Sequence, residues 1–358
     1  MSSLRRCGNT GGVPAKAELS KGKTGVYCIQ VRVYIMNKQQ TAKPKRRMSC
    51  CSGCATLFLL LFCLIVLGFA GSYYVAANTI HRQLVEKYPP PGKMVDIGGY
   101  SLHLYCMGQG EPTVVVDVGW LVSSPNWQNV QSLLSKKYRT CLFDRAGRAW
   151  SDPSSRPRQI QVMAEELHST LSKVGIKSPY ILIGEGEAAL YARYYATQYP
   201  NEVRGLELIT PVLANPSDWA GYDRPNVFIW TIEAPLDVLT WFTSGKRQLS
   251  ATDPGCKSTE NCKLENLWNY EIKNQQATSA ELDLWVENNT TVDKASAKLG
   301  SLPLIVVYPK NYYETASMKK LDALLALSTK STAQPQKESN IREEAPDAIT
   351  NAVEWLLR

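Results

Sequence analysis

The chain has 358 residues, 44% hydrophobic and 20% charged, with a formal net charge of +8. That length admits one large domain or two small ones, and the composition excludes general disorder. Residues 1–54 hold eleven Lys and Arg against the single acid Glu18, so the remainder of the chain is slightly negative and carries no broad nucleic-acid-binding charge.

The first 54 residues lack apolar periodicity and are rich in Lys, Gly, Ser and Thr, which predicts a disordered basic tail. At its end, Cys50, Cys51 and Cys54 lie beside a basic run and are candidates for S-palmitoylation. Free thiols are the plain alternative, and a zinc site would lack a fourth ligand. From Ala55 to Ala77 the chain is almost wholly apolar and uncharged, the length of a bilayer crossing. This predicts one transmembrane signal-anchor helix, with Tyr73 and Tyr74 at the interface. Lys43, Lys45, Arg46 and Arg47 precede it, whereas only His81, Arg82 and Lys87 follow closely. The positive-inside rule then places the N-terminus in the cytoplasm and the C-terminal part in a lumen or outside the cell, a type II arrangement.

Residues 78–91 read as a stalk ending in three prolines, and a folded domain begins at 92. Met94–Ile97 and Ser101–Cys106 are strands joined by a glycine turn. Thr113–Val118 is a β-branched run typical of a strand covered on both faces, and Arg139–Asp144 is another strand. Ile160, Met163, Ala164, Leu167, Leu171 and Val174 repeat at helical spacing, predicting a helix over 157–175. Strands over Ile181–Gly184 and Leu206–Thr210 flank a helix over 187–199. Residues 212–300 hold five of the nine tryptophans and read as a mostly helical cap inserted between core strands. A strand over Leu302–Tyr308 and helices over Ala316–Leu327 and Ala345–Leu357 complete an α/β sheet with helices on both faces.

Several stretches carry a resemblance. Tyr100–Gly110 looks like a second strand and turn, and Val116-Asp-Val-Gly-Trp120 sits where an oxyanion loop follows the third strand. Phe143-Asp-Arg-Ala-Gly-Arg-Ala-Trp-Ser-Asp152 is close to a Y-D-R-A-G-x-G-x-S signature. Tyr195–Gly205 matches the helix and turn after a nucleophile elbow. From about Pro91 onward the chain resembles the α/β-hydrolase fold family of the abhydrolase-1 type. That resemblance implies an α/β-hydrolase sheet with an inserted helical cap and a Ser–His–acid triad.

The triad positions carry other residues. The elbow frame is Gly184-Glu185-Gly186-Glu187-Ala188, and the nucleophile falls on Gly186. The acid falls on Thr210, with Glu314 a poor substitute, and the histidine falls on Ser339. The only histidines are His81, His103 and His168, all read as structural or surface residues. Gly119, Trp120, Glu185 and Glu187 are the pocket candidates. Either glutamate is a candidate nucleophile or base, but a carboxylate there would oppose the negative charge of an acyl-transfer transition state. The plainer reading is polar filling, with Glu187 favoured by the positive end of the following helix.

Four cysteines follow the span, which suggests two disulfides in an oxidising compartment. The resemblance makes Cys106–Cys141 neighbours on adjacent strands, and Cys256–Cys262 would close a small loop in the cap. Asn288 and Asn289 begin overlapping glycosylation sequons. The sequence implies no cofactor and no metal. The leading expectation is a catalytically inactive, membrane-anchored domain that binds an apolar small molecule or a protein partner. The alternatives are an atypical hydrolase using one of the glutamates and a structural subunit of a membrane complex.

Overall fold

The central strands are built from β-branched and aliphatic residues because helices cover both of their faces. The computed structural model describes residues 17–21, 27–31, 50–119, 122–213, 264, 268, 271–295, 298–313 and 315–358. Its contacts divide the chain into two units, Met1–Cys63 and Leu64–Arg358.

In the first unit, β1 (Ala17–Lys21) pairs antiparallel with β2 (Tyr27–Val31). The tail expected to be disordered therefore contains a two-stranded ribbon, a type of element of marginal stability on its own. The helix α1 (Cys50–Lys87) contains the segment Gly53–Gly71, long and apolar enough to cross a membrane. Of the palmitoylation candidates, Cys50 and Cys51 lie in its first turn, and Cys54 is exposed and unpaired. The helix continues to Lys87, so most of the expected stalk is helical.

The second unit holds an eight-stranded sheet in the order β10-β9-β8-β7-β5-β6-β4-β3. Its members are β3 (Lys93–Asp96), β4 (Ser101–Met107), β5 (Thr113–Asp117), β6 (Thr140–Phe143), β7 (Tyr180–Glu185), β8 (Val203–Ile209), β9 (Leu304–Pro309) and β10 (Ser331–Gln336). β3 and β4 run antiparallel to their neighbours, and the other pairings are parallel. β6 and β7 flank β5 on opposite sides, which makes a topological switch point at the C-terminal ends of β5 and β7. That is where open α/β sheets bind ligands.

One face of the sheet is covered by α3 (Ile160–Val174), α4 (Ala188–Gln198) and α7 (Thr315–Leu325). The other is covered by α2 (Gln128–Leu134) and α9 (Pro346–Leu356), which pack Val130, Leu134, Ile349 and Val353 against Val114, Val116, Ile183 and Ile305. The short α8 (Ile341–Glu344) leads into α9. Within the inserted segment lie α5 (Ile272–Asp283) and α6 (Trp285–Ala295). Trp120, Cys256, Cys262 and Glu314 lie outside the described residues, as does the cap from 214 to 263. Cys106 and Cys141 are bonded and stand directly opposite each other on β4 and β6.

The end of α1 is anchored to this unit. Leu84, Val85 and Tyr88 pack with Ala149, Trp150, Leu264 and Trp268. Trp150 Nε1 donates to the Tyr88 carbonyl at 2.8 Å, and His81 pairs with Glu271.

Candidate functional site

The elbow at the end of β7 has the backbone of a nucleophile turn. Gly186 has φ of +62°, a left-handed conformation that glycine adopts without penalty. Its N–H donates to the Ile209 carbonyl at 2.9 Å, and a Cβ built on it would meet no heavy atom within 4 Å. The turn therefore presents open space where a nucleophile would project. Thr210, at the end of β8, also has a positive φ, +43°, and its N–H donates to Val307. A β-branched residue in that region is strained by about 1–3 kcal/mol. Ser339 is exposed in the loop between β10 and α8. The side chain that this part of the chain sends to the elbow is Arg342, whose Nη1 donates to Glu185 Oε2 at 2.7 Å. Trp127 Nε1 donates to the same oxygen at 3.0 Å.

Glu187 is the N-cap residue of α4, yet its side chain makes no capping hydrogen bond. It turns instead toward Arg145, whose Nη2 donates to Glu187 Oε1 at 3.1 Å. Arg145, from the signature loop after β6, is the hub of a buried charge cluster. Its guanidinium also pairs with Asp117, donates to the Val118 carbonyl at 2.8 Å, and lies 4.7 Å over the Tyr191 ring. Glu281 of α5 completes the cluster, reached by Arg145 Nη2 at 3.2 Å and Arg148 Nη2 at 3.3 Å.

Burial dominates the titration of these groups. It pushes Glu187 up to about 8 and Asp117 up to about 6, against the opposing pull of Arg145. Burial acts on Glu281 in the same direction, but Arg145, Arg148 and Arg158 outweigh it and bring Glu281 down to about 2. Gly119, in the loop that would furnish an oxyanion hole, is pressed against Glu187 Oε2 and the Glu185 carbonyl. Glu187 and Arg145 thus stand together beside Gly186. Next to them, the cavity bordered by Gly186, Arg193, Leu213, Trp285 and Leu324 measures about 10 Å³, room for about one water.

A serine, an aspartate and a histidine do meet elsewhere, in an order unlike a triad. Asp144 accepts from Ser124 Oγ at 2.9 Å and bonds His103 Nδ1 at 2.7 Å. His103 Nε2 accepts from the Gly92 N–H at 3.3 Å, so neither ring nitrogen is left to serve a nucleophile. All three side chains are buried, and the aspartate rather than the histidine stands in the middle. His168, on α3, stacks on Tyr199 and pairs with Glu202.

Asn288, the first of the two sequon asparagines, is buried. Asn288 is 1% exposed, its Oδ1 accepts from Ile160 N at 2.9 Å, and its Nδ2 donates to the Arg158 carbonyl at 3.1 Å. It fastens α6 to the start of α3, and a glycan would have to break both bonds. Asn289 is half-buried and donates to the Trp285 carbonyl.

A family model described as alpha/beta hydrolase fold matches residues 112–344, more than half of the chain. Two curated relatives are similar over shorter stretches. The uncharacterized protein YbdG of Bacillus subtilis is 32% identical over 117 residues, 32% of this chain and 36% of that protein. An uncharacterized vacuolar membrane protein of Saccharomyces cerevisiae is 28% identical over 130 residues, 31% of this chain and 20% of that protein. The chain therefore spans well under two thirds of these relatives' lengths. Among solved structures, Burkholderia cenocepacia Cfl2 superposes with a TM-score of 0.57 at 20% identity, covering 74% of this chain and 95% of that one. The Bacillus megaterium epoxide hydrolase superposes with a TM-score of 0.54 at 17% identity, covering 74% and 99%. At such identities the likeness is one of fold. Together with the strand order and the elbow, the family match establishes that this chain belongs to the alpha/beta hydrolase fold family.

Proposed function

We propose that this protein is a single-pass membrane protein whose hydrolase-fold domain binds a ligand or partner without turning it over. The observation that carries this is the filled elbow region, with Arg145 hydrogen-bonded to Glu187 and the Arg342–Glu185 ion pair beside a glycine at the nucleophile position. Acyl transfer needs a nucleophile, a base and donors aimed at a developing oxyanion. Here Gly186 supplies no nucleophile, and no histidine follows His168. The Glu187 side chain fills the space against Gly119, where an oxyanion would need to sit.

A type II orientation is part of the same reading. The Lys43–Arg47 cluster favours a cytoplasmic N-terminus, and a disulfide between Cys106 and Cys141 fits an oxidising lumen or exterior. Protease protection in sealed microsomes tests it: the C-terminal domain is expected to survive until detergent is added.

One observation favours a second reading. Glu187, raised to about 8 by burial, has the kind of perturbed acidity found in catalytic acids. Ester and epoxide turnover by the full-length protein in detergent distinguishes the two. The non-catalytic reading expects no turnover above background. Turnover that disappears in Glu187→Gln or Glu185→Gln would overturn it.

A further inference from the structure

The seat of Glu281 offers more donors than its occupant uses. Glu281 belongs to α5 in the inserted segment, yet its carboxylate is held by side chains of the sheet unit's own loops and helices. Arg145 grips it with two prongs, Nε to Oε1 at 3.3 Å and Nη2 to Oε2 at 3.2 Å. Arg148 Nη2 and the Tyr191 hydroxyl each donate to Oε2 at 3.3 Å. The fork is the arrangement by which guanidinium groups recognise carboxylates and other oxyanions. The seat is dry: Glu281 is 0% exposed and both arginines 1%. Within it, Arg148 Nε and Nη1 have no acceptor; Arg158, whose charge also acts on Glu281, is held by Glu166 through Nη1, and its Nε and Nη2 likewise have none. Buried guanidinium donors without acceptors are costly, and docking one helix requires far fewer of them.

We propose that Arg145, Arg148 and Tyr191 form a binding site for an oxyanion, a carboxylate or phosphate head group, and that Glu281 is its built-in occupant. An incoming anion takes the fork on Arg145 and supplies acceptors to the spare donors of Arg148, and α5 is released as Glu281 leaves. Arg145 stays oriented throughout by Asp117, the Val118 carbonyl and Glu187 on its other side. The inference rests on the non-catalytic reading but is tested by binding, so turnover in the wild type would overturn that reading and leave this test intact.

The test uses full-length protein in detergent micelles, with chloride at equal ionic strength as the control. Glu281→Gln keeps the shape of the occupant and removes its charge. Its melting temperature is expected to rise saturably with acetate, octanoate or phosphate, with half-saturation at least tenfold lower than in the wild type. A preference for octanoate identifies a carboxylate on an apolar tail, a preference for phosphate a phosphorylated head, and equal response to acetate the head group alone. Adding Arg148→Gln is expected to abolish the rise. No rise beyond the chloride control in folded Glu281→Gln, or an unchanged rise in the double variant, overturns the proposal. If Glu281→Gln fails to form the Cys106–Cys141 bridge, amide hydrogen exchange on the wild type decides. Saturating anion must accelerate exchange in α5, and unchanged exchange overturns the proposal.

Discussion

A methyl group placed on Gly119 would lie 3.3 Å from the Glu187 carboxylate and 2.9 Å from the Glu185 carbonyl oxygen. The carboxylate could yield, but the carbonyl belongs to the backbone of the elbow and cannot move without it. Gly119→Ala is therefore expected to lower stability by about 2 kcal/mol through overpacking. Urea denaturation of the wild type and the variant measures this. An unchanged midpoint would show that the elbow is loose rather than wedged.

Placing a serine at Gly186 is expected to create no ester hydrolysis. Space at Gly186 is open, so Gly186→Ser meets no clash, and its cost is the left-handed backbone, about 1 kcal/mol. A hydroxyl there has no histidine to take its proton, since His103 is committed to Asp144 and Gly92. A folded variant with ester hydrolysis at background level is the expected result. Hydrolysis well above background would mean that Glu187 or another group serves as base.

The buried acids make stability depend on pH in a defined direction. Glu187 and Asp117 have folded-state values raised to about 8 and about 6, above their ordinary values of 4.5 and 3.8. A raised acid stabilises fully below its unfolded value, and that contribution is lost as pH rises toward the folded one. Stability is thus expected to fall between about pH 4 and pH 8, with Glu187 contributing at most about 1.4 kcal/mol per pH unit within its window. Glu281, lowered to about 2, acts in the opposite sense, its contribution being lost only as pH falls below 4.5. Glu187→Gln should flatten the fall between pH 5 and pH 8, read by urea melts at three pH values. An equally steep fall in the variant would reassign the effect.

Glu207 is a different kind of buried acid. It lies on β8 between Ile183 and Ile305, fully buried, with neither carboxylate oxygen hydrogen-bonded, and burial alone raises it well above its usual value. Its place in the strand alternation directs it to the sheet face covered by α9. Glu207→Met keeps its approximate shape and removes an uncompensated polar group, so a gain of roughly 2 kcal/mol is expected at pH 7.5. The gain should shrink toward pH 4, where the unfolded chain also binds the proton. Thermal melts at both pH values check this, and a loss of stability would show that the carboxylate has an undetected partner.

The contrast between β5 and β10 explains how much of the fold was readable from the sequence. Thr113–Asp117 is buried throughout and announces itself by its β-branched residues. Ser331–Gln336 is an edge strand of small and polar residues, none of them fully buried, and Pro335 inside it argues against a strand in the middle of a sheet. The short α2 leaves little trace in the sequence because seven residues show barely two turns of periodicity. At the site, the elbow was legible because its glycines and flanking strand and helix are contiguous. Its ion pairs were not: Arg342 meets Glu185 across 157 positions, and Arg145 meets Glu281 across 136. The pairing of a charge with a distant charge leaves no local pattern. Glu187 could be placed at a helix start, but that its side chain would choose Arg145 over the helix end depended on tertiary contacts.

The unbroken run of α1 from Gly71 to Leu84 works as a torsional gear. The thirteen residue steps between them span about 20 Å, and each step fixes about 100° of rotation. Leu84 and Tyr88 meet Trp150 and Trp268 on one side of the helix. Inserting one alanine between Ala77 and His81 would turn Leu84 away from that seat, whereas inserting seven would return it within about 20°. The seating of the end of α1 against Trp150 and Trp268 is thereby a matter of helix phase as well as of length.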